Sequence, residues 1–351
     1  MRLFQCQNCG NVLYFENAYC EQCGKQVGYL PDSGQMSAVD PDGSNWIALA
    51  DPQPRYRFCA NWEQSACNWL THADSGEIYC RACRHNRTIP DISTPEHYRN
   101  WRKIEDAKRR LFYSLIRLDL PLPTPASGET EPLVFDFLAD APDGSTKVMT
   151  GHDSGVITIN LNEADDAKRE AARTAMGEPY RAILGHFRHE VGHFYWDRLV
   201  RDGGQLESFR ALFGDESEDY GQALQRHYQQ GAPADWRMNY VSAYATMHPW
   251  EDWAETWAHY LHIVDTLEMA ASFGIETHPA VATEALATQI TFDPYETEDL
   301  NALINAWLPL SYASNSLNRC MGLPDLYPFV IPPNAIQKLG YIHKLIHHHA
   351  Q

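Results

Sequence analysis

Eight of the nine cysteines fall within the first 83 residues, and their spacing constrains the fold more than any other feature. Cys6, Cys9, Cys20 and Cys23 form CQNCG followed by CEQCG, two CxxC turns that each end in glycine, at Gly10 and Gly24. Turns of this kind bring four thiolates to one tetrahedral ion, so the segment reads as a structural zinc ribbon that relies on metal for its fold. A second set, Cys59, Cys67, Cys80 and Cys83, has a tight pair in CRAC and a looser pair with seven residues between. It is expected to form a second four-cysteine site. A tetrahedral all-sulfur site suits zinc or iron, and zinc is favoured because nothing in the chain suggests an electron-transfer partner. The same cysteines would suit a disulfide scaffold in an oxidising compartment. However, MRLFQCQNCG lacks the continuous apolar core of a signal peptide, and no run of about 18 apolar residues is present. The expectation is therefore a chain of the reducing cytoplasm with no membrane span. Cys320 stands alone and reads as a small packed side chain.

The second constraint is HEVGH, His189 to His193. Two histidines four apart lie on one face of a helix about one turn from each other, so both imidazoles can reach one Zn2+ while Glu190 reaches a water beside it. Apolar residues at Leu184, Phe187, Val191, Phe194, Tyr195 and Leu199 recur near helical spacing, which predicts a helix beginning after Pro179. Gly192 costs roughly 1 kcal/mol of helix propensity relative to Ala, a cost best explained by another backbone crossing there. Taken alone, the pentapeptide also fits two ordinary surface histidines.

A hydrolytic zinc takes three protein ligands and keeps one position open, so a further donor is needed. HPWEDWAETWAHYLH, His248 to His262, supplies it on a helix whose start Pro249 marks. Glu251 and Glu255 are one turn apart on one face, with Trp253, Trp257, Tyr260 and Leu261 as the buried side. One carboxylate can bind metal while the other accepts the second N–H of a ligand histidine. Tyr244, His248, Tyr260 and His259 are candidate donors to a developing oxyanion, Tyr244 and His248 ranking first because they precede this helix. Asp197, one turn past His193, is a further candidate partner or a surface carboxylate.

At these residues the chain resembles the glutamate-zincin peptidases, in which HExxH is followed by a helix bearing Glu-x-x-x-Asp or a close variant. EDWAE departs by having Glu255 where Asp or Asn is commoner. The resemblance implies His189, His193 and Glu251 as zinc ligands, Glu190 as general base and Glu255 as the carboxylate behind a ligand; the departure leaves open which glutamate binds. More narrowly, HFRHEVGHFYWDRL, GDE at Gly214 to Glu216, and HPWEDWAETWAHYLH are similar to a bacterial family of zinc-binding metallopeptidases carrying an N-terminal zinc ribbon. That resemblance covers nearly the whole chain.

The expected fold is α+β: zinc ribbons over residues 1–90, then a mainly helical zincin-like domain with a small β-sheet over 94–351. At 351 residues with 44% hydrophobic side chains, the larger part can build its own core. Sequence rich in Gly, Pro, Asp and Ser between Leu30 and Pro54 reads as a connection between the cysteine sets, and IPDISTP marks the boundary. Thr94 and Pro95 suit the cap and first position of the helix EHYRNWRKIEDAKRRLFYSLIRL. LVFDFLAD and VITINLN read as strands, and Val156 to Leu161 is the candidate substrate-pairing edge strand, an interior position being equally compatible with its alternation. Everything after Lys168 reads as mainly helical, ending in a helix near Ala335 to His349, with His347 to His349 as a solvated tail.

Net charge is −18, and residues 1–93 hold seven Lys/Arg against ten Asp/Glu. A nucleic-acid partner needs a basic footprint, and Arg81, Arg84 and Arg87 are the only local cluster. The reading is a hydrolase of peptides or proteins with three zinc ions, one catalytic and two structural, whose ribbon contacts protein or caps the peptidase. The alternatives are a non-catalytic zinc-ribbon scaffold and a nucleic-acid binder with an appended helical domain.

Overall fold

The computed structural model describes residues 1–141, 143–176, 181–281 and 284–348. The chain is α+β and forms two compact units, Met1–Ala172 and Arg173–Gln351. This division falls after a long helix and a mixed sheet that follow the cysteine-rich region, later than the 90–94 break in sequence pattern.

The first unit begins with a two-strand ribbon, β1 (Phe4–Gln5) and β2 (Val12–Leu13). A five-stranded antiparallel meander follows: β3 (Val27–Leu30), β4 (Gln35–Asp42), β5 (Asn45–Ala48), β6 (Asp51–Phe58) and β7 (Leu70–His72). The Leu30–Pro54 stretch is therefore sheet and not a connector. Its glycines at Gly34 and Gly43 have φ of 63° and 62°, the left-handed geometry of tight hairpin turns. Leu30, Val39, Ala48, Tyr56 and Leu70 form a small core inside this meander.

Strand β8 (Asn86–Thr88) leads to α1 (Pro95–Arg117), where the Thr94 side chain accepts from the His97 N–H at 3.3 Å, as the Thr-Pro pair predicts. Strands β9 (Val134–Leu138), β10 (Gly151–Asp153) and β11 (Val156–Asn160) join β8 in a sheet of order β10-β11-β9-β8. Here an expectation is corrected: β11 is interior, antiparallel to β10 and parallel to β9. Its backbone groups are committed to neighbours on both sides, so it is not a free edge for substrate. Helix α2 (Asp166–Met176) closes the unit's sequence and runs past its boundary.

In the second unit α3 (Ile183–Trp196) carries HEVGH and ends in a π turn over Asp197–Arg201. Pro179, the expected start signal, lies outside the described residues. Helices α4 (Leu206–Phe213), α5 (Tyr220–Gln230) and α6 (Pro249–Ser272) follow. A short β12 (Glu276–Thr277) and β13 (Thr288–Gln289) pair precedes α7 (Leu300–Cys320) and α8 (Pro333–His348). Of the expected terminal histidine tail, His349 lies outside the described residues, while His347 and His348 belong to α8.

The core of this unit is the α3–α6 contact. Phe187, Val191, Phe194 and Tyr195 of α3 and Trp253, Trp257, Leu261 and Val264 of α6 are all essentially without solvent exposure. Tyr195 stacks on Trp257 with ring centroids 5.0 Å apart. At Gly192 the two helices are so close that a Cβ would lie 3.1 Å from Ala254 Cα. The glycine therefore has the reason the sequence suggested, the crossing of another backbone.

Candidate metal centres

Among the described residues three groups of donors converge. In the first, Cys6, Cys9, Cys20 and Cys23 place their sulfurs together, with Cys6–Cys23 at 3.8 Å and Cys9–Cys20 at 3.6 Å. Bonds of about 2.3 Å at a tetrahedral zinc require sulfurs roughly 3.8 Å apart, whereas a disulfide brings them to about 2.05 Å. The local fold explains the convergence: Gly10 N–H donates to Cys6 O and Gly24 N–H to Cys20 O, both at 2.8 Å, making matched knuckles. Gly10 and Gly24 have φ of 77° and 73° to permit them. Backbone hydrogen bonding from Lys25 pulls the Cys23 thiol down to about 6, towards the thiolate a metal takes.

The second group, Cys59, Cys67, Cys80 and Cys83, is buried throughout, with Cys67–Cys80 at 3.7 Å. Backbone N–H groups of Trp69, Cys80 and Cys83 point at the sulfurs of Cys67, Cys59 and Cys80 at 3.4 to 3.5 Å. Such donors favour thiolate charge in a buried place. Both sulfur sets thus fit zinc by spacing.

The third group is His189, His193 and Glu251, whose donor atoms lie within 4.8 Å of one another. Glu251 Oε2 is 2.9 Å from His189 Nε2 and 3.5 Å from His193 Nε2. That oxygen is buried and makes no hydrogen bond, an expensive arrangement unless a cation belongs there. Donors on bonds of about 2.0–2.1 Å around a tetrahedral zinc are roughly 3.3 Å apart, so the spread fits. The electrostatics agree. Burial opposes a charge on His189, yet Glu251 and Glu255 outweigh it and raise its pKa well above the ordinary imidazole value. Glu251 is held well below the carboxylate range despite burial, because His193 and His189 face it. The pocket is arranged for positive charge between imidazoles and carboxylate.

Glu255 stands elsewhere. Its Oε1 accepts from His189 Nδ1 at 2.7 Å and its Oε2 from the Ser242 hydroxyl at 2.6 Å. A group bound to Nδ1 cannot share an ion with Nε2 on the opposite edge of the ring, so Glu255 is not among the converging donors. It leaves His189 with Nε2 as the lone-pair nitrogen. Ser242 is itself fixed by the Ala245 N–H at 3.1 Å.

Glu190 is half-buried beside this group, near enough to Tyr220 that its charge helps raise the phenol's pKa, behind burial and Glu251. The Tyr244 ring centroid is 6.1 Å from that of His189, and burial, followed by the charge of Glu251, raises its pKa. His248 requires a correction. It is the N-cap of α6, its Nδ1 accepting from the Trp250 N–H at 3.1 Å while Nε2 donates to Glu218 O at 3.1 Å. Neither nitrogen is left for an oxyanion. His259 and Tyr260 are likewise engaged, with Tyr327 Oη at 2.5 Å and His343 Nδ1 at 2.9 Å. Asp197 pairs with Arg201 at 3.0 Å.

Three neighbours of the site were not anticipated. Tyr220 donates to Glu251 Oε1 at 2.8 Å, Ser242 holds Glu255, and Trp250 lies over His193 at 3.6 Å between ring centroids. The one available signal was Asp219, a good cap that announces a helix beginning at Tyr220.

Fold and donor sets define the class, an α+β metal-binding protein with a ribbon at its N-terminal end. Residues 97–345 match the family described as putative zinc-binding metallo-peptidase, and residues 3–94 match a zinc-ribbon domain. The chain belongs to this metallopeptidase family. Uncharacterized proteins of Mycobacterium bovis and Mycobacterium tuberculosis are 42% identical to it over 349 residues, 99% of this chain and 95% of theirs. No solved structure matches. Among the described residues no helix is long and apolar enough to cross a membrane.

Proposed function

We propose that the chain hydrolyses peptide bonds with a zinc ion held by His189, His193 and Glu251 and with Glu190 as general base. The observation that carries this reading is the buried Glu251 oxygen, free of hydrogen bonds, facing two imidazole nitrogens beside a half-buried glutamate. Zinc in such a site would supply Lewis acidity, bringing the pKa of water towards ~7 and polarising a carbonyl. Glu190 takes the proton from the attacking water and returns it to the leaving amine. Glu255, backed by Ser242, holds the His189 ring in the orientation that turns Nε2 inward. Tyr244 is the remaining hydroxyl candidate for the oxyanion, since His248 is committed to capping. Hydrolysis of a peptide library should disappear with a chelator and return with zinc. Turnover indifferent to chelation would contradict the proposal.

We further propose that both four-cysteine sets hold structural zinc, giving three ions per chain, in a protein of the reducing cytoplasm. Thiols spaced for metal, not for disulfides, support both points. Elemental analysis of untagged protein should give about three zinc, the number of tetrahedral ligand sets; one or fewer would overturn the two-ribbon reading. The acidic balance of residues 1–93 favours protein over nucleic acid as the ribbon's partner.

A further inference from the structure

The two oxygens of Glu251 have different surroundings. Oε2 faces the histidines, and Oε1 accepts the Tyr220 hydroxyl at 2.8 Å. A carboxylate whose one oxygen is held by a fixed donor cannot rotate freely, so that donor decides where the other oxygen points. We propose that Tyr220 is a positioning residue whose hydrogen bond to Oε1 orients Glu251 so that Oε2 points at the metal. The inference rests on the reading of His189, His193 and Glu251 as a zinc site.

The placement of Tyr220 is built, not incidental. Asp219 accepts from the Gln222 N–H at 2.8 Å and so starts α5 at Tyr220. The segment before it is tied down twice: Glu216 pairs with Arg210, with one oxygen 2.9 Å from Nε, and the Glu218 carbonyl accepts from His248 Nε2. His248 also caps α6, so a single imidazole fixes the helix start that bears Glu251 and the loop that delivers Tyr220. This gives His248 a reason to be where it is that has nothing to do with substrate. The Tyr220 ring packs against His248 and Trp250, at 5.5 and 6.1 Å between centroids, and Trp250 lies over His193. Glu251 is only 2% exposed, and a buried carboxylate oxygen without a donor is costly, which makes this one hydroxyl consequential.

Tyr220→Phe removes one oxygen from a residue 38% exposed and should leave the fold intact by circular dichroism. The full zinc-loaded chain is titrated with a chelator, and the peptidase-site zinc is identified as the ion that His193→Ala lacks. Tyr220→Phe should release that ion at a chelator level about 10–100-fold lower, the usual consequence of losing a group that orients a ligand. Its rate of peptide hydrolysis should recover as zinc is restored. A release curve identical to wild type would overturn the assignment, and so would a rate deficit that persists in refilled protein, because the hydroxyl would then act on substrate. If His193→Ala holds as much zinc as wild type, the reading of the site itself falls, whatever Tyr220→Phe does.

Discussion

Gly192→Ala puts two physical effects of opposite sign in competition at the helix crossing that forms the site. On an isolated helix, alanine is favoured over glycine by roughly 1 kcal/mol. Here the new methyl carbon would lie 3.1 Å from Ala254 Cα and 3.2 Å from Trp257 Cβ and Cδ1, where ordinary contact begins at 3.4 Å. One neighbour is backbone, so relief requires α3 and α6 to separate by a few tenths of an ångström. Overpacking of this kind costs about 1–3 kcal/mol, which exceeds the propensity gain or matches it. The variant should therefore be destabilised by about 1 kcal/mol, the difference between the two effects. Ala254, the backbone that would be displaced, lies between Glu251 and Glu255 on α6, so zinc should also be held less tightly. Urea midpoints followed by tryptophan fluorescence measure the first effect and chelator titration the second. Gly340→Ala is the contrast, because its nearest neighbour is the tip of the flexible Leu300 side chain at 3.1 Å, which can move aside. It should be neutral or stabilising. A Gly192→Ala protein that is more stable than wild type and binds zinc normally would refute the close-crossing argument.

Two further outcomes follow from the same geometry. Glu251→Ala should empty the peptidase site at moderate chelator, since it removes one of three protein bonds, whereas Glu255→Ala should weaken zinc by about 10–100-fold and refill when zinc is in excess; the reverse pattern would exchange their roles. Burial lowers the pKa of His259 to about 4 from an ordinary 6.5. A depressed imidazole contributes stability that is complete above 6.5 and is lost as pH falls towards 4, at most on the order of 3 kcal/mol. Thermal melts between pH 7 and 4 should fall less steeply for His259→Gln, and parallel curves would contradict this.

What the sequence could disclose was local. Thr94 before Pro95, and Pro249, announce the starts of α1 and α6, because a cap acts on the next few backbone N–H groups and proline suits the first helical position. HEVGH with a later acidic helix specifies which side chains can share an ion, and Gly192 betrays a crossing because only a second backbone justifies its helix penalty. Long-range pairing was not legible. The alternation of β11 is the same for an edge and an interior strand, and only its partners β9 and β10 decide between them. The glycines of Leu30–Pro54 look alike in a linker and in hairpin turns. Tyr220 and Ser242 reach carboxylates 31 and 13 residues away, from positions with no periodic relation to α6. His248 could be ranked as a donor from its place in sequence, but the fate of its two nitrogens depends on the fold.

The central claim is that Glu190 activates water at a site formed by His189, His193 and Glu251. It is tested most directly by incubating a peptide library with zinc-loaded wild type and Glu190→Gln in 18O-labelled water and sequencing the products by mass spectrometry. Wild type should generate new carboxyl termini that carry the label. Glu190→Gln, with the same zinc content, should do so at least roughly 10²-fold more slowly, the usual weight of a general base. Equal rates for the two proteins, or no labelled termini from zinc-replete wild type, would contradict the account.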